Sequence, residues 1–487
     1  MKLNELLNGI DVKRIIGNES VNITGITFNS KEVKPGYLFI CIPGFRADGH
    51  DFAAEAADCG AVAILAEHEI ESVGATTVIV ESTRHETPYL AANFYDHPDK
   101  KLKLIGITGT NGKTTTTYLI KSVLESVGEK VGLIGTNQNL IGNTVLPSHH
   151  TTPDFIELMQ LFDQMVKEGA TYVVMEVSSH SLALDRVSAC RFEVGAFTNI
   201  TQDHLDFHKT MENYLEAKSK LFALSKSAVI NNDIKEAPYL KEKAGNCDAV
   251  ITYGLENESD VLATNAVLTG CGVEFDLTCK GETVKIHLGI PGRFSVYNAL
   301  TAIASCVALN IPLSEIAKGL ALAEGVKGRI EVVKTDTPYT VIIDYAHTPD
   351  GILNIINAIR GFAKGRVITL FGCGGDRDKT KRPIMGKIAG QLSDFCIVTS
   401  DNPRSEEPGE IIKDILPGID ETGCKYVTIE NRFDAIEYAL DHAEKDDIIL
   451  LAGKGHETYQ ILKDRTIVFD EREIVMKLLS DSSRIKA

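Results

Sequence analysis

The 487-residue chain contains no tryptophan and no C-x-x-C pair. Its ten cysteines are scattered, mostly inside apolar runs such as Ser305-Cys306-Val307 and Phe395-Cys396-Ile397. That usage argues against a disulfide framework or a zinc site and for reduced, buried thiols in a cytoplasmic protein. A basic excess is also missing: 50 Lys and Arg stand against 67 Asp and Glu, a formal charge of −17. Neutralising a nucleic-acid backbone needs a basic face, so the balance argues against nucleic acid while leaving room for a local pocket that takes small anions. Residues 1–12 lack the apolar core of a signal peptide, and no apolar run approaches the length that spans a bilayer. Internal repeats and low-complexity stretches are absent as well. What is present, 44% hydrophobic and 24% charged residues, is ordinary for soluble globular protein. The length exceeds what one core serves, so several domains are expected.

The most informative stretch begins with an apolar run, residues 102–107, read as a buried strand. The turn Gly109-Thr110-Asn111-Gly112 follows, and then Lys113, Thr114 and an amphipathic pattern ending at Gly128. Strand, glycine loop, Lys-Thr and helix form a phosphate cradle. Backbone N–H groups and the positive helix end hold phosphate oxygens, Lys113 neutralises charge, and the Thr114 hydroxyl can ligate Mg²⁺. The spacing departs from the usual G-x-x-x-x-G-K-[ST], because five residues separate Gly106 from Gly112. A tight turn that happens to hold Gly-Lys-Thr is the alternative, but the flanking strand and helix favour a loop for a nucleoside triphosphate.

Along the rest of the chain, residues 36–42 and 60–66 read as strands around a helical 52–57, and 95–100 as a polar linker. Strands at 131–135, 172–177, 194–200, 228–231 and 249–253 alternate with helices, the rhythm of a mostly parallel sheet. Residues 273–277 and 284–288 alternate strictly about a Lys280-Gly281 turn, which predicts an antiparallel hairpin or meander. Helices are expected over 298–309 and 314–323. Further strands at 340–343, 367–371, 395–399, 426–429 and 448–451 restore the βα rhythm. The expected fold is α/β in three domains: residues 1–98, a central 99–330 with a mostly parallel sheet plus a small antiparallel one, and a Rossmann-like 331–487.

Several post-strand loops carry reactive side chains. Glu176, in Met175-Glu176-Val177-Ser178-Ser179-His180, ends a buried strand where parallel sheets gather ligands, and its hard oxygen suits Mg²⁺ opposite Thr114. Asp203, His204, Asp206 and His208 crowd another loop, either as metal ligands with His204 foremost or as solvated turn formers. Lys218 lies on a helical stretch, where a lysine is most often a solvated charge. Gly374-Gly375-Asp376-Arg377-Asp378, Asp401-Asn402-Pro403-Arg404 and Gly453-Lys454-Gly455-His456-Glu457 each follow an expected strand. Arginine there offers a planar fork for carboxylate or phosphate, the alternative being a weak surface ion pair.

Taken together, these motifs resemble the Mur ligases, ATP-dependent enzymes that add amino acids to the peptidoglycan precursor. The resemblance spans essentially the whole chain, with the motifs in family order, and it accounts for the unusual loop spacing. It implies that Gly109, Thr110, Asn111, Gly112, Lys113, Thr114 and Thr115 bind ATP, with Asn298, Arg329, Asp344 and His347 at matching positions. The chain is most similar to the members that add a third residue to UDP-N-acetylmuramoyl-L-alanyl-D-glutamate. Ser30, within a pattern running from Asn29 to Asp48-Gly49, matches a contact to the nucleotide sugar, and Thr151, Thr152, Ser178 and Arg186 fall where the rest of the acceptor is held. Leu184 stands where some relatives carry Gln, which removes one polar contact. Lys218 aligns with a lysine that takes up CO₂ as a carbamate, and the implied metal set for Mg²⁺ is Thr114, Glu176, His204 and that carbamate. The implied catalytic residues are Lys113, Glu176, His204 and Lys218.

Asp401-Asn402-Pro403-Arg404 selects the amino acid. Ligases of this type that use meso-diaminopimelate carry this arginine, and lysine-adding ones typically do not. The reason is chemical, since diaminopimelate has a distal carboxylate that Arg404 can bind in a bidentate pair. Arg377, Gly453 and Glu457 match the remaining amino-acid contacts. The expected reaction is amide ligation through an acyl phosphate, in a cytoplasmic monomer, with the three domains bringing acceptor, ATP and amino acid together. Three rivals are a lysine-adding ligase of the same type, a folylpolyglutamate synthase, and a P-loop regulatory ATPase that forms no bond. Residues 1–97 and the Asp401–Arg404 motif speak against the second, and the Arg404 and Glu457 loops speak against the third.

Overall fold

A computed structural model describes residues 1–44, 47–70, 74–148, 150–270 and 272–480, with Asp206 described in its backbone alone. The chain divides into two compact units. The first holds Met1–Leu262 and Leu300–Gly319, the second Ala263–Ala299 and Leu320–Ala487.

The first unit contains two sheets. Among the described residues the smaller has five strands, in the order Val12–Ile16, Thr76–Val80, Ala63–Ala66, Tyr37–Ile40, Gly25–Thr27. The first pair is antiparallel and the remainder parallel. The larger sheet places Lys103–Thr108 between Phe192–Phe197 and Tyr172–Glu176, with Ser225–Asn231 and Ala249–Gly254 beyond the former and Val131–Ile134 beyond the latter. All these neighbours are parallel. Residues 104–108 and the whole of Tyr172–Glu176 are buried, as expected of strands covered on both faces. A hairpin of Asn139–Ile141 and Thr144–Leu146 adds an antiparallel edge, which three-residue strands with exposed Thr144 and Val145 leave no periodic signal for.

One core joins the two sheets: Leu90, Ala91 and Ala92 of helix Thr83–Phe94 pack in the same cluster as Leu158, Leu161 and Phe162 of helix Phe155–Lys167. Residues 95–100, read as a polar linker, are less open than their composition suggests. Asp96 and His97 turn the chain at positive φ, and Pro98 and Asp99 are buried in a short 3₁₀ turn. Burial raises the Asp99 pKa above the usual carboxylate value.

In the second unit, Gly272–Cys279 and Glu282–Leu288 form the expected antiparallel hairpin about Lys280-Gly281. The main sheet, six strands among the described residues, runs Glu331–Val333, Thr340–Asp344, Ile448–Ala452, Val367–Phe371, Phe395–Val398, Lys425–Thr428. Only its first pair is antiparallel. Helices Pro349–Arg360, Lys381–Leu392 and Pro408–Asp420 cover one face, and Arg432–Asp441 with Glu471–Ser480 the other. The loops at 345–348, 372–378, 399–406 and 453–457 therefore all leave the carboxyl edge of one doubly wound sheet, where such sheets bind ligands. The nine described cysteines are all free. No helix of the described residues is long and apolar enough to cross a membrane.

Candidate active site

The glycine loop of the first unit connects Lys103–Thr108 to helix Lys113–Ser126. Gly109 has φ +139° and Gly112 φ +85°, conformations that side chains rarely adopt. A Cβ at Gly109 would run into the Thr198 side chain, so backbone and neighbouring loop touch there. Thr198 Oγ1 donates to Asn111 O at 2.7 Å, and Asn199 Oδ1 accepts from the Asn111 N–H at 2.9 Å. Lys113 Nζ donates to Gly109 O at 2.9 Å and Thr110 O at 2.8 Å, curling the cation over the loop it follows. The first N–H groups of the helix, at Lys113, Thr114 and Thr115, lie at its positive end.

Glu176, 1% exposed, faces this helix start. Its Oε1 accepts from Thr114 Oγ1 at 2.9 Å and from the Thr136 N–H at 2.9 Å, and its Oε2 accepts from Thr136 Oγ1 at 3.0 Å. A buried carboxylate beside a hydroxyl at a helix N-terminus is a pair of hard oxygens, a fit for Mg²⁺. The network continues outward. Thr136 Oγ1 pairs with Thr151 Oγ1 at 3.0 Å, Thr152 Oγ1 donates to Glu176 O, the Ser178 N–H to Thr152 Oγ1, and Arg186 Nη1 to Thr152 O. Burial lowers the Arg186 pKa. The structure thus brings together Thr114, Glu176, Thr151, Thr152, Ser178 and Arg186 as one hydrogen-bonded chain along the carboxyl edge.

Lys218 is not a solvated charge. On helix Met211–Ala223 it is 2% exposed, donates to Gly109 O at 2.7 Å and lies 4.5 Å from the Tyr214 ring centre. Burial, and secondly the charge of Lys113, hold its pKa well below the ordinary lysine value. Tyr214 itself, pushed up to about 12 by burial, shares a hydrogen bond with Thr110 Oγ1 at 3.2 Å. His204, with φ +53°, is exposed and approaches the rings of His180 at 4.9 Å and Tyr214 at 6.1 Å. His208 Nε2 pairs with Ser179 Oγ at 2.9 Å. The Asp206 side chain lies outside the described residues. No group of three or more His, Cys, Asp or Glu able to hold a metal occurs among the described residues.

Ser30 starts a 3₁₀ turn capped by Asn29, whose Oδ1 accepts from the Lys31 N–H. Asp48 caps the next one and binds His50 Nδ1 at 2.6 Å.

In the second unit, Asp344 is buried and ties two segments. Its Oδ2 accepts from the Ile330 N–H at 2.9 Å and its Oδ1 from the Ala346 N–H at 2.8 Å, while burial raises its pKa. Arg329 stacks over Tyr345 at 5.1 Å, and the His347 and His456 rings approach Tyr345 at 4.6 and 4.8 Å. Among the described residues, Arg329 Nε and His456 Nδ1 are buried with no hydrogen-bond partner, so this patch has polar atoms to spare for a ligand. Asn298 is buried on helix Arg293–Ala308.

The three loops expected to read the amino acid converge. Arg404 Nη1 donates to Gly375 O at 2.9 Å. Asn402 Nδ2 donates to Glu457 Oε2 at 2.9 Å, and the fully buried Lys454 donates to that oxygen at 3.1 Å. Asp401 Oδ1 accepts the Asn402 N–H at 2.6 Å, and Gly453 sits so close to Asp401 that a Cβ there would lie 2.7 Å from its Oδ2. Pro403 shares this turn. Arg377 Nη1 donates to its neighbour Asp376 O at 3.1 Å. Thr136, Thr198, Asn199 and Lys454 hold these sites together; of these, Thr136 has no place in the motifs read from the sequence. For Thr136 the available signal was its place just after a buried strand at the loaded edge.

A parallel sheet whose central strand leads into a glycine loop, a Lys-Thr pair at a helix start and a facing buried carboxylate defines a P-loop nucleotide-binding protein. Comparison with known proteins narrows the class. The Mur ligase middle domain matches residues 107–306, the Mur ligase glutamate ligase domain 328–455, and the Mur ligase family catalytic domain 22–95. The UDP-N-acetylmuramoyl-L-alanyl-D-glutamate--2,6-diaminopimelate ligase of Caldanaerobacter subterraneus subsp. tengcongensis is 52% identical over 99% of this chain and 100% of its own. That of Clostridium acetobutylicum, numbered 1, is 50% identical over 99% and 100%. A solved structure of a ligase of that name, 29% identical, superposes with a TM-score of 0.75 and covers 98% of both chains. The chain belongs to the Mur ligase family.

Proposed function

We propose that this protein joins meso-diaminopimelate to UDP-N-acetylmuramoyl-L-alanyl-D-glutamate at the expense of ATP, a cytoplasmic step in making the peptidoglycan precursor. The observation that carries the amino-acid assignment is Arg404, placed with Asn402 and Glu457 at one loop junction: a cation for the distal carboxylate beside an anion for the ammonium. Full-length relatives bearing the diaminopimelate name support the same reading.

In this reading the D-glutamyl γ-carboxylate attacks the γ-phosphorus of ATP, and the bond to the bridging oxygen breaks to release ADP. The diaminopimelate amine then attacks the acyl carbon, loses a proton, and phosphate leaves. Lys113 and the N–H groups of the 109–115 loop bind and orient the triphosphate, so the phosphoryl group sits in line for transfer. Thr114 and Glu176, with His204 and the Lys218 carbamate, would hold Mg²⁺, which supplies neutralisation of phosphoryl charge when bound. The low Lys218 pKa supports carbamate formation, because only a neutral amine can attack CO₂. Ser30, Thr151, Thr152, Ser178 and Arg186 receive the acceptor. Asn298, Arg329, Asp344 and His347 complete the ATP set, and Arg377, Asp401, Asn402, Pro403, Arg404, Gly453 and Glu457 the amino-acid set. Boundaries near residues 98 and 330 belong to this reading, as does a monomer.

The test is phosphate release with UDP-N-acetylmuramoyl-L-Ala-D-Glu, ATP and Mg²⁺, comparing meso-diaminopimelate with L-lysine. Release with diaminopimelate far above that with lysine, cut sharply in Arg404→Ala, is the expected result. Preference for lysine would keep a ligase and overturn the role of Arg404. Hydrolysis independent of either amino acid would point to a regulatory ATPase.

A further inference from the structure

Arg382 lies in the first turn of helix Lys381–Leu392, and none of its side chain is exposed. Its Nη2 donates to Glu406 Oε1 at 2.9 Å, and its Nη1 donates to Glu406 Oε2 at 3.1 Å and Asp414 Oδ2 at 2.8 Å. Glu406 Oε1 also accepts the Asp376 N–H at 2.7 Å. From the other side, Ser405 Oγ donates to Asp376 Oδ1 at 2.6 Å. The loops 374–378 and 401–406 are thereby strapped together on both sides of Asp376. Arg404 sits inside the strap. It has φ +52°, a backbone state that a long side chain does not hold unaided, and its guanidinium reaches across to Gly375 O. Burying an arginine between two carboxylates is a poor way to gain stability, since an apolar core of that volume does as well. Its effect here is geometric, because a bidentate arginine–carboxylate pair fixes both partners in one plane.

We infer that the Arg382–Glu406 pair is a positioning device for Arg404, and through it sets the discrimination between amino acids with and without a distal carboxylate. The inference rests on the ligase reading and deepens it. Neither Arg382 nor Glu406 need touch substrate; they hold the loop pair that aims the Arg404 guanidinium, which does. A substrate lacking the distal carboxylate makes no use of Arg404, so loosening the strap costs it little.

The experiment measures kcat and KM for meso-diaminopimelate, L-lysine and ATP by phosphate release in the wild type, Glu406→Gln, Arg404→Ala and the double variant. Glu406→Gln is expected to lower kcat/KM for diaminopimelate at least tenfold, mainly through KM. The KM for ATP and the weak lysine-dependent rate should stay within twofold, so the diaminopimelate-to-lysine ratio falls. In the Arg404→Ala background the same change should alter that ratio less than twofold. An unchanged ratio, an equal loss for both amino acids and ATP, or effects that multiply in the double variant would each overturn the inference. Should Glu406→Gln not fold, Ser405→Ala removes the hydroxyl bond to Asp376 Oδ1, leaving the Ser405 N–H on Oδ2, and must lower the ratio in the same direction; no change there overturns the inference as well. A wild type that releases no phosphate in response to diaminopimelate sinks the ligase reading itself, a distinct failure.

Discussion

At the glycine loop of the first unit, Lys113 and Lys218 both point their side-chain nitrogens at one carbonyl, that of Gly109. Around Arg404 in the second unit, the buried cations are instead matched with carboxylates, Arg382 with Glu406 and Lys454 with Glu457. The difference follows from what each place has to do. Carbonyl dipoles hold a cation without cancelling its charge, so a loop built that way keeps a positive field for phosphate. Ion pairs cancel the field and leave geometry, which suits a surface that must tell one amino acid from another. Two amines aimed at one carbonyl disfavour a second charge, and the charge of Lys113 adds to burial in driving the Lys218 pKa down.

If the loop site works through charge, Lys113→Ala should have the largest effect. Removing one preorganised stabiliser of transition-state charge costs about 10²–10³-fold in kcat. Steady-state phosphate release measures it, and normal turnover would show that the 109–115 loop is not the phosphate cradle. Removing the reader in the second unit should cost less. Arg404→Ala gives up a charged hydrogen-bonded pair worth about 1.5–3 kcal/mol, or roughly 10–150-fold in kcat/KM for diaminopimelate. The ATP KM should not follow, and equal losses for ATP would erase the distinction between the two sites.

Lys454→Met sharpens the geometric half of the comparison. Lys454 is fully buried, and its loss leaves Glu457 Oε2 with Asn402 alone. Leaving such a group underpaired costs about 1–3 kcal/mol. Urea unfolding should show a lower midpoint with an unchanged slope. A midpoint equal to the wild type would mean that Glu457 does not depend on the lysine for its place.

Much of this was legible in the chain, for identifiable reasons. Buried parallel strands such as residues 104–108 and Ile448–Ala452 announce themselves as short apolar runs, and loops after them hold the chemistry. The glycine loop and Glu176 were readable because their neighbours in sequence form their context. Lys218 was legible only through the family resemblance: its own helix reads it as a solvated charge, and only folding shows that its amine reaches Gly109, 109 residues away. Arg382 and Glu406 lie outside every motif for a related reason, since a charged residue reads as surface until its partner is known. The 95–100 segment was misjudged because polarity does not reveal that Asp99 is 4% exposed.

The smallest expected effect is also the one that separates a charged from a neutral Lys218. Its folded pKa lies well below the ordinary 10.5, so between those two values the unfolded chain binds a proton that the folded chain does not. Stability therefore rises with pH across that window, in proportion to the difference in bound protons. Other groups titrate in the same range, and the difference between wild type and Lys218→Met removes them. In CO₂-free buffer the wild-type melting temperature should gain on that of Lys218→Met as the pH climbs toward the ordinary lysine value. Parallel curves would mean that Lys218 keeps its proton when folded. The amine would then be no nucleophile for CO₂, and the loop would carry two full positive charges beside Gly109.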